Sequence, residues 1–523
     1  MVEQISARAL RALWRAGEEV ALFDAREEGP FSRAHPFFAV SLPFAEIEAK
    51  AYELAPRLSA KIVVYDDGEG VAERAAHRLI DAGYRDVALL EGGLAAYRQV
   101  GELFCDVNVV SKAFGELVES IRHTPSLSAR EIDRLIHDGA GADAVVLDAR
   151  RYEEYRTMSI PTAVSVPGAE LALRVFDIAP SPDTLVIVNC AGRTRSIIGT
   201  QSLIDAAIPN RVAALRNGTI GWTLDGLALD RGQERRFPSI SREAHARALG
   251  GTRARAARLG VATLDAAAFQ AALADRDRRT LYLLDVRSPE EYAASHASGF
   301  RSAPGGQLVQ ATDEWVAVRG AKIILYDDLE ARALSTASWL TQLGWETAVL
   351  APDAVAATDV GPSPWARPPI IVAPGSTISP NELAARRDQF VIVDLSRSPV
   401  YRAGHIPGAF WAAAAHLERD LSTLPSDKQI VLVSPDGGTA LDNLARAQSV
   451  SALSAVALAG GTQAFGEVTA ENPQWLGEPD DSYKRPYEGV DNSRDAMQAY
   501  IDWELQLVAQ LANDGVANFH VVR

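Results

Sequence analysis

The sequence predicts an α/β protein of four tandem units, each a small parallel sheet flanked by helices, followed by a helical C-terminal extension. Three observations carry this. An apolar run ending in Asp, then a small residue, then Arg or Ser, occurs four times: Leu22-Phe23-Asp24-Ala25-Arg26, Val146-Leu147-Asp148-Ala149-Arg150, Leu283-Leu284-Asp285-Val286-Arg287 and Ile392-Val393-Asp394-Leu395-Ser396. A second apolar run follows in every copy, at Ile62–Tyr65, Leu185–Asn189, Ile323–Tyr326 and Ile430–Val433. Unbroken runs of this kind are strands buried on both faces of a parallel sheet. After each comes a short polar loop and then a helical stretch, such as Ala72–Asp81 or Ser196–Ala206. Strands alternating with helices make α/β units.

Size and composition agree. At about 150 residues per domain, 523 residues suggest three or four domains, and the repeat makes it four. Hydrophobic and charged fractions of 47% and 23% are ordinary globular values and exclude wholesale disorder or a fibrous class. A net charge of −16 repels phosphate backbones, so nucleic acid is not an expected partner. No apolar run approaches the roughly 20 residues of a membrane helix, so no membrane partner is expected either. The start, Met-Val-Glu-Gln-Ile-Ser-Ala-Arg, lacks the basic and apolar regions of a signal peptide, which points to the cytoplasm. Two cysteines, Cys105 and Cys190, exclude a disulfide scaffold and a Cys-built zinc site.

In chain order, the units are expected at residues 1–105, 124–230, 255–355 and 370–472, with the extension over 473–523. A third strand and a Gly-rich turn close three of them, at Val87–Gly93, Val212–Gly218 and Val456–Gly461; the third unit reads Ala348–Asp353 and lacks the turn. Between units two and three, an Arg-rich stretch from Arg231 to Arg258 reads as solvated helix paired with acidic neighbours. Residues 353–380, with Pro362, Pro364, Pro368, Pro369, Pro374 and Pro380, read as a stiff connector. In the extension, Tyr483–Tyr487 reads as a surface strap. Ser493 can cap a helix with an apolar face of Met497, Tyr500, Ile501, Leu505, Val508 and Leu511, ended by Gly515. That face would dock either on the same chain or on a second subunit, giving a homodimer through this helix.

The chemistry concentrates in Val188-Asn189-Cys190-Ala191-Gly192-Arg193-Thr194-Arg195-Ser196-Ile197-Ile198. Cys190 ends a buried strand at the carboxyl edge of a parallel sheet, where open α/β sheets bind ligands. A short loop with Gly192 lets backbone N–H groups turn inward as an anion nest, and a helix starting near Ser196 adds its positive end. Arg193 and Arg195 add forked cationic donors. These features favour thiolate over thiol, so Cys190 is expected to be a reactive nucleophile, with Ala191, Gly192, Arg193, Thr194, Arg195 and Ser196 around the substrate. Aligned strands place Asp66, Asp327 and Ser434 at the same point of the other units, and none of these is a thiol. Arg150 is expected to brace Asp148, with substrate contact the lesser reading. Cys105 reads as a linker or packing cysteine.

The repeat resembles the rhodanese homology domain. The fourth unit carries that family's opening segment as Tyr401-Arg402-Ala403-Gly404-His405-Ile406-Pro407-Gly408-Ala409; the first keeps His35-Pro36, the third Glu291-Tyr292 and His296, and the second Glu154-Tyr155 and Ile160-Pro161 with Ser159 in place of His. The Cys190 segment resembles the family's catalytic loop, and the other units resemble its non-catalytic domains. The resemblance implies a thiosulfate sulfurtransferase working through a Cys190 persulfide, without metal or organic cofactor. The donor would be thiosulfate or a persulfide, and the acceptor cyanide or a thiol. It also puts Trp222 where the family has an aromatic near the cleft, and a core position reads equally well. Two rivals stand beside this reading: a persulfide carrier or scaffold without turnover, and a phosphatase- or arsenate-reductase-like enzyme. The second needs five residues between Cys and Arg, where only four separate Cys190 from Arg195.

Overall fold

The structure, a computed structural model, describes residues 2–137, 143–361, 372–425, 427–451 and 454–523. Each unit folds around its own parallel sheet. In the second unit the strands lie in the order Val164–Ser165, Ala144–Asp148, Leu185–Asn189, Val212–Leu215, Ser126–Leu127. Every neighbouring pair in it is parallel. The first and third units repeat this order, and the fourth adds Gln474–Trp475 at one edge. The unbroken apolar runs are buried on both faces, as their composition requires. Around the second sheet, Leu147, Val186 and Val188 enter one core and Val146, Ile187 and Leu215 the other.

The register fixes the equivalence of the four loops. Asp24 pairs with Tyr65, Asp148 with Asn189, Asp285 with Tyr326 and Asp394 with Val433. Asp66, Cys190, Asp327 and Ser434, each one residue further on, therefore share one position. The Asp-x-Arg motif is a brace. In the second unit, buried Arg150 donates to Asp148 at 2.9 and 2.7 Å and to the Met158 carbonyl at 2.6 Å. Arg26 and Arg287 repeat this with Asp24 and Asp285, and Ser396 donates to Asp394 where the arginine is lost. The family histidines are structural too: His35, His296 and His405 stack on Phe31, Tyr292 and Tyr401 with centroids 4.0–4.2 Å apart.

Between the first two units lies a helix over Val109–Arg122 that is buried along most of its length. It joins the first and third units in one continuous core. The third unit also grips the second, through Arg332 to Glu170 (2.7 Å) and Trp339 Nε1 to Ser202 Oγ (2.8 Å). The Arg-rich stretch folds as the helix Arg242–Arg258, with Arg253 paired to Glu330 and Arg255 to Asp205. Of the Pro-rich connector, Pro362, Pro364, Pro368 and Pro369 lie outside the described residues. No helix among the described residues is long and apolar enough to cross a membrane.

The extension departs from a single helix. Ser493 caps it, accepting from the Ala496 amide at 3.1 Å, but it divides into Arg494–Glu504 and Leu507–Asp514. The division turns Leu505 out to solvent. Met497, Tyr500 and Ile501 pack on Ala191 and Ile220 of the second unit. Leu507, Leu511 and Val516 enter the core shared by the first and third units. Asp514, capped by Gly515, accepts from Arg11 at 2.7 Å. Most of the apolar face is thus buried within the chain.

Candidate active site

Cys190 follows directly on Leu185–Asn189, and the helix behind it runs Thr194–Asp205, beginning two residues before Ser196. A second turn clamps the loop: the Thr219 and Ile220 amides donate to the Cys190 and Ala191 carbonyls at 2.9 and 3.0 Å. Gly218 is required there. Its φ is +55°, and a Cβ would lie 2.3 Å from the Cys190 carbonyl oxygen. The Ser196 amide is directed at the Cys190 thiol, while the Ser196 hydroxyl donates to the Arg193 carbonyl at 2.8 Å. The amide of the sixth residue after this position recurs in the other units. The Ala72 amide donates to Asp66 (2.9 Å), Ala333 to Asp327 (3.4 Å) and Ala440 to Ser434 (3.2 Å).

The surroundings of the loop come from outside the repeat. Lys112 and Glu116 reach it from the linker helix, Gln310 from the third unit, Tyr487 from the strap and Tyr500 and Glu504 from the C-terminal helix. The space left is about 20 Å³, room for about one water. Cys190 is 1% exposed.

Both loop arginines are already partnered, contrary to the expectation that they await an anion. Arg193 makes a bidentate pair with Glu116 (2.7 and 2.9 Å), and Arg195 makes one with Glu154 (2.7 and 2.9 Å). Burial raises the Glu116 carboxyl despite Arg193. Desolvation acts on Glu154 as well, but Arg195 outweighs it and brings that carboxyl down to about 2. Burial works against the expected low-lying thiolate in this pocket. Burial pushes the Cys190 thiol above its ordinary value; Arg195 and Ser196 pull it down, and Glu504 adds to the rise.

Of the two readings open for each, Trp222 takes the core one, fully buried with Nε1 donating to the Ala228 carbonyl at 2.8 Å, and Arg150 takes the brace to Asp148. Cys105 is partly exposed beside Asp106, its thiol raised by burial and by that carboxylate. The sequence reading missed Lys112, Glu116, Gln310, Tyr487, Tyr500 and Glu504 as pocket residues. The one local signal was Glu504, a carboxylate four residues after Tyr500 beside an otherwise apolar helix face.

Comparison with known proteins agrees with this architecture. The rhodanese-like domain matches at residues 6–99, 128–225, 265–353 and 379–467. The crystal structure of a thiosulfate sulfurtransferase from Pseudomonas aeruginosa is 49% identical, with a TM-score of 0.96 and all of both chains covered. An HTH-type transcriptional regulator of Mycobacterium tuberculosis is 27% identical over 181 residues, 31% of this chain and 79% of that protein. With four matches spanning most of its length, the chain belongs to the rhodanese-like domain family.

Proposed function

We propose that the protein is a thiosulfate sulfurtransferase that moves the outer sulfur of thiosulfate, or of a related donor, through a persulfide on Cys190. One observation carries the reading: Cys190 is the sole thiol among four equivalent loop positions, and the Ser196 amide is directed at it. The full-length similarity to a thiosulfate sulfurtransferase supports it.

The Cys190 thiolate attacks the outer sulfur of thiosulfate. A new S–S bond forms, and the old one breaks with its electron pair leaving on sulfite. Cyanide or a thiolate then attacks the terminal persulfide sulfur and carries it away, returning the Cys190 thiolate. The Ser196 amide stabilises charge on the cysteine sulfur in both steps. Arg193 and Arg195, held by Glu116 and Glu154, keep the loop rigid, and Arg195 favours the thiolate. The chemistry requires no cofactor, and two unpaired thiols suit a reducing, cytoplasmic setting.

The raised thiol and the small cavity set a condition. Thiosulfate exceeds this space, so part of the cover over Cys190 gives way before the donor reaches the thiol. The test is thiocyanate formation from thiosulfate and cyanide. We expect turnover in the native protein and none in Cys190→Ala. Sulfur uptake without turnover would instead make the protein a carrier, and hydrolysis of a phosphate ester without sulfur uptake would overturn the reading.

A further inference from the structure

We propose that Glu504, as a neutral carboxyl, selects anionic sulfur donors at the Cys190 pocket, and that its ionisation turns this selection off. The inference rests on the reading of Cys190 as the sulfur-accepting nucleophile.

Glu504 ends the helix Arg494–Glu504 and is 1% exposed. Its Oε1 accepts from the Tyr500 hydroxyl at 2.9 Å. Its Oε2 is buried and has no hydrogen-bond partner among the described residues. That free oxygen lies against the loop: a Cβ on Gly192 would be 3.1 Å from it. A buried carboxyl oxygen without a partner is costly unless something arrives to use it.

The charges facing it explain what that something is. Lys112 and Glu116 come from the linker helix, Arg193, Arg195 and the Cys190 thiol from the loop, Tyr487 from the strap and Tyr500 from its own helix. Each cation has its own carboxylate: Lys112 has Asp106, Arg193 has Glu116 and Arg195 has Glu154. Glu504 is the unmatched acid. Ionised, it adds an uncompensated negative charge that repels a dianion such as thiosulfate. Neutral, it removes that charge and offers an O–H to the donor's oxygens. Burial, with Glu116 adding and Lys112, Tyr500 and Arg193 opposing, pushes this carboxyl up to about 8. It is therefore mostly neutral at pH 7 and titrates within the working range.

The test is kcat/KM against pH for thiosulfate with cyanide as acceptor. In the native protein we expect a rise while Cys190 ionises, then a fall that approaches tenfold per pH unit once Cys190 and Glu504 are both ionised. Glu504→Gln keeps a neutral donor and should lose the falling limb. An uncharged donor, a dialkyl trisulfide, should show no falling limb with the native protein, and this arm decides the question if Glu504→Gln does not fold. A falling limb that persists in Glu504→Gln, that appears equally with the trisulfide, or that is missing from the native protein overturns the assignment. Cys190→Ala separates the two readings. If it still takes up sulfur, the Cys190 reading fails; if it is inert and the limb persists in Glu504→Gln, only the role of Glu504 fails.

Discussion

The second and third units share their sheet order and an arginine–carboxylate pair beside the loop, and differ in the residue that follows the central strand. Both place an arginine five residues on, Arg195 and Arg332, and both pair it with a carboxylate in the first turn of an early helix, Glu154 and Glu291. In the third unit the position is Asp327. Its carboxylate accepts from the Leu329 and Arg332 amides at 3.1 and 2.8 Å and pairs with the Arg332 side chain at 2.8 Å. The nest that could hold a substrate's charge is filled by the chain's own anion. In the second unit Cys190 leaves the nest without a permanent charge, so it can stabilise one that appears during reaction. The comparison teaches that in the third unit Asp327, with Arg332 and its other carboxylates, fills the loop that Cys190 leaves uncharged in the second.

Substitutions can break this contrast. The largest effect is expected from Cys190→Ser, which keeps the shape of the loop but removes the sulfur nucleophile. Turnover should fall by on the order of a thousandfold or more, read as thiocyanate formation. The converse change, Asp327→Cys, should create no second site, because Arg332 and its remaining carboxylates close that loop. Its test is sulfur uptake in a background carrying Cys190→Ala. Asp327→Ala should cost about 1.5–3 kcal/mol in denaturant unfolding, because the Leu329 and Arg332 amides lose their carboxylate acceptor while Arg332 keeps Glu170, Glu291 and Asp328. Acid acts on the same pair. Desolvation works against the Asp327 carboxylate, but Arg332 and the loop amides hold it below its ordinary value. Its contribution is therefore complete above the ordinary carboxylate range and is lost as pH falls through the depressed value.

Glu504 should behave oppositely. Its carboxyl is raised from 4.5 to about 8, so between those values the folded chain binds more protons than the unfolded one. Its share of the stability should fall with rising pH by up to about 1.4 kcal/mol per unit in that window, and Glu504→Gln should remove that share while Glu27 and Asp313, raised to about 8 and about 7, keep theirs. The smallest effect is expected from Arg253→Ala. Its pair with Glu330 is more than half exposed on the arginine side and should be worth less than about 1 kcal/mol.

What was legible in the sequence is what the repeat encodes locally. The unbroken strands, the Asp-x-Arg brace and the alignment of Asp66, Cys190, Asp327 and Ser434 all follow from short segments read against one another. The partners of the Cys190 loop were not legible, because they come from the linker helix and the C-terminal helix, which have no counterpart in the other units. Nothing near Arg193 in sequence announces that Glu116 will meet it. Arg195 was readable in principle, since Glu154 stands six residues beyond Asp148 as Glu291 does beyond Asp285. The thiol's raised state was hidden for the same reason. The loop's charges were visible in the sequence, whereas the burial that opposes them is supplied by Tyr487 and Tyr500, some three hundred residues away by chain.

The most direct test of the central claim is intact-protein mass measurement after incubation with thiosulfate. The account predicts a gain of one sulfur atom, located on the peptide containing Cys190, lost on adding cyanide and absent in Cys190→Ala. A sulfur carried on Cys105, or turnover with no sulfur gained at Cys190, would contradict it.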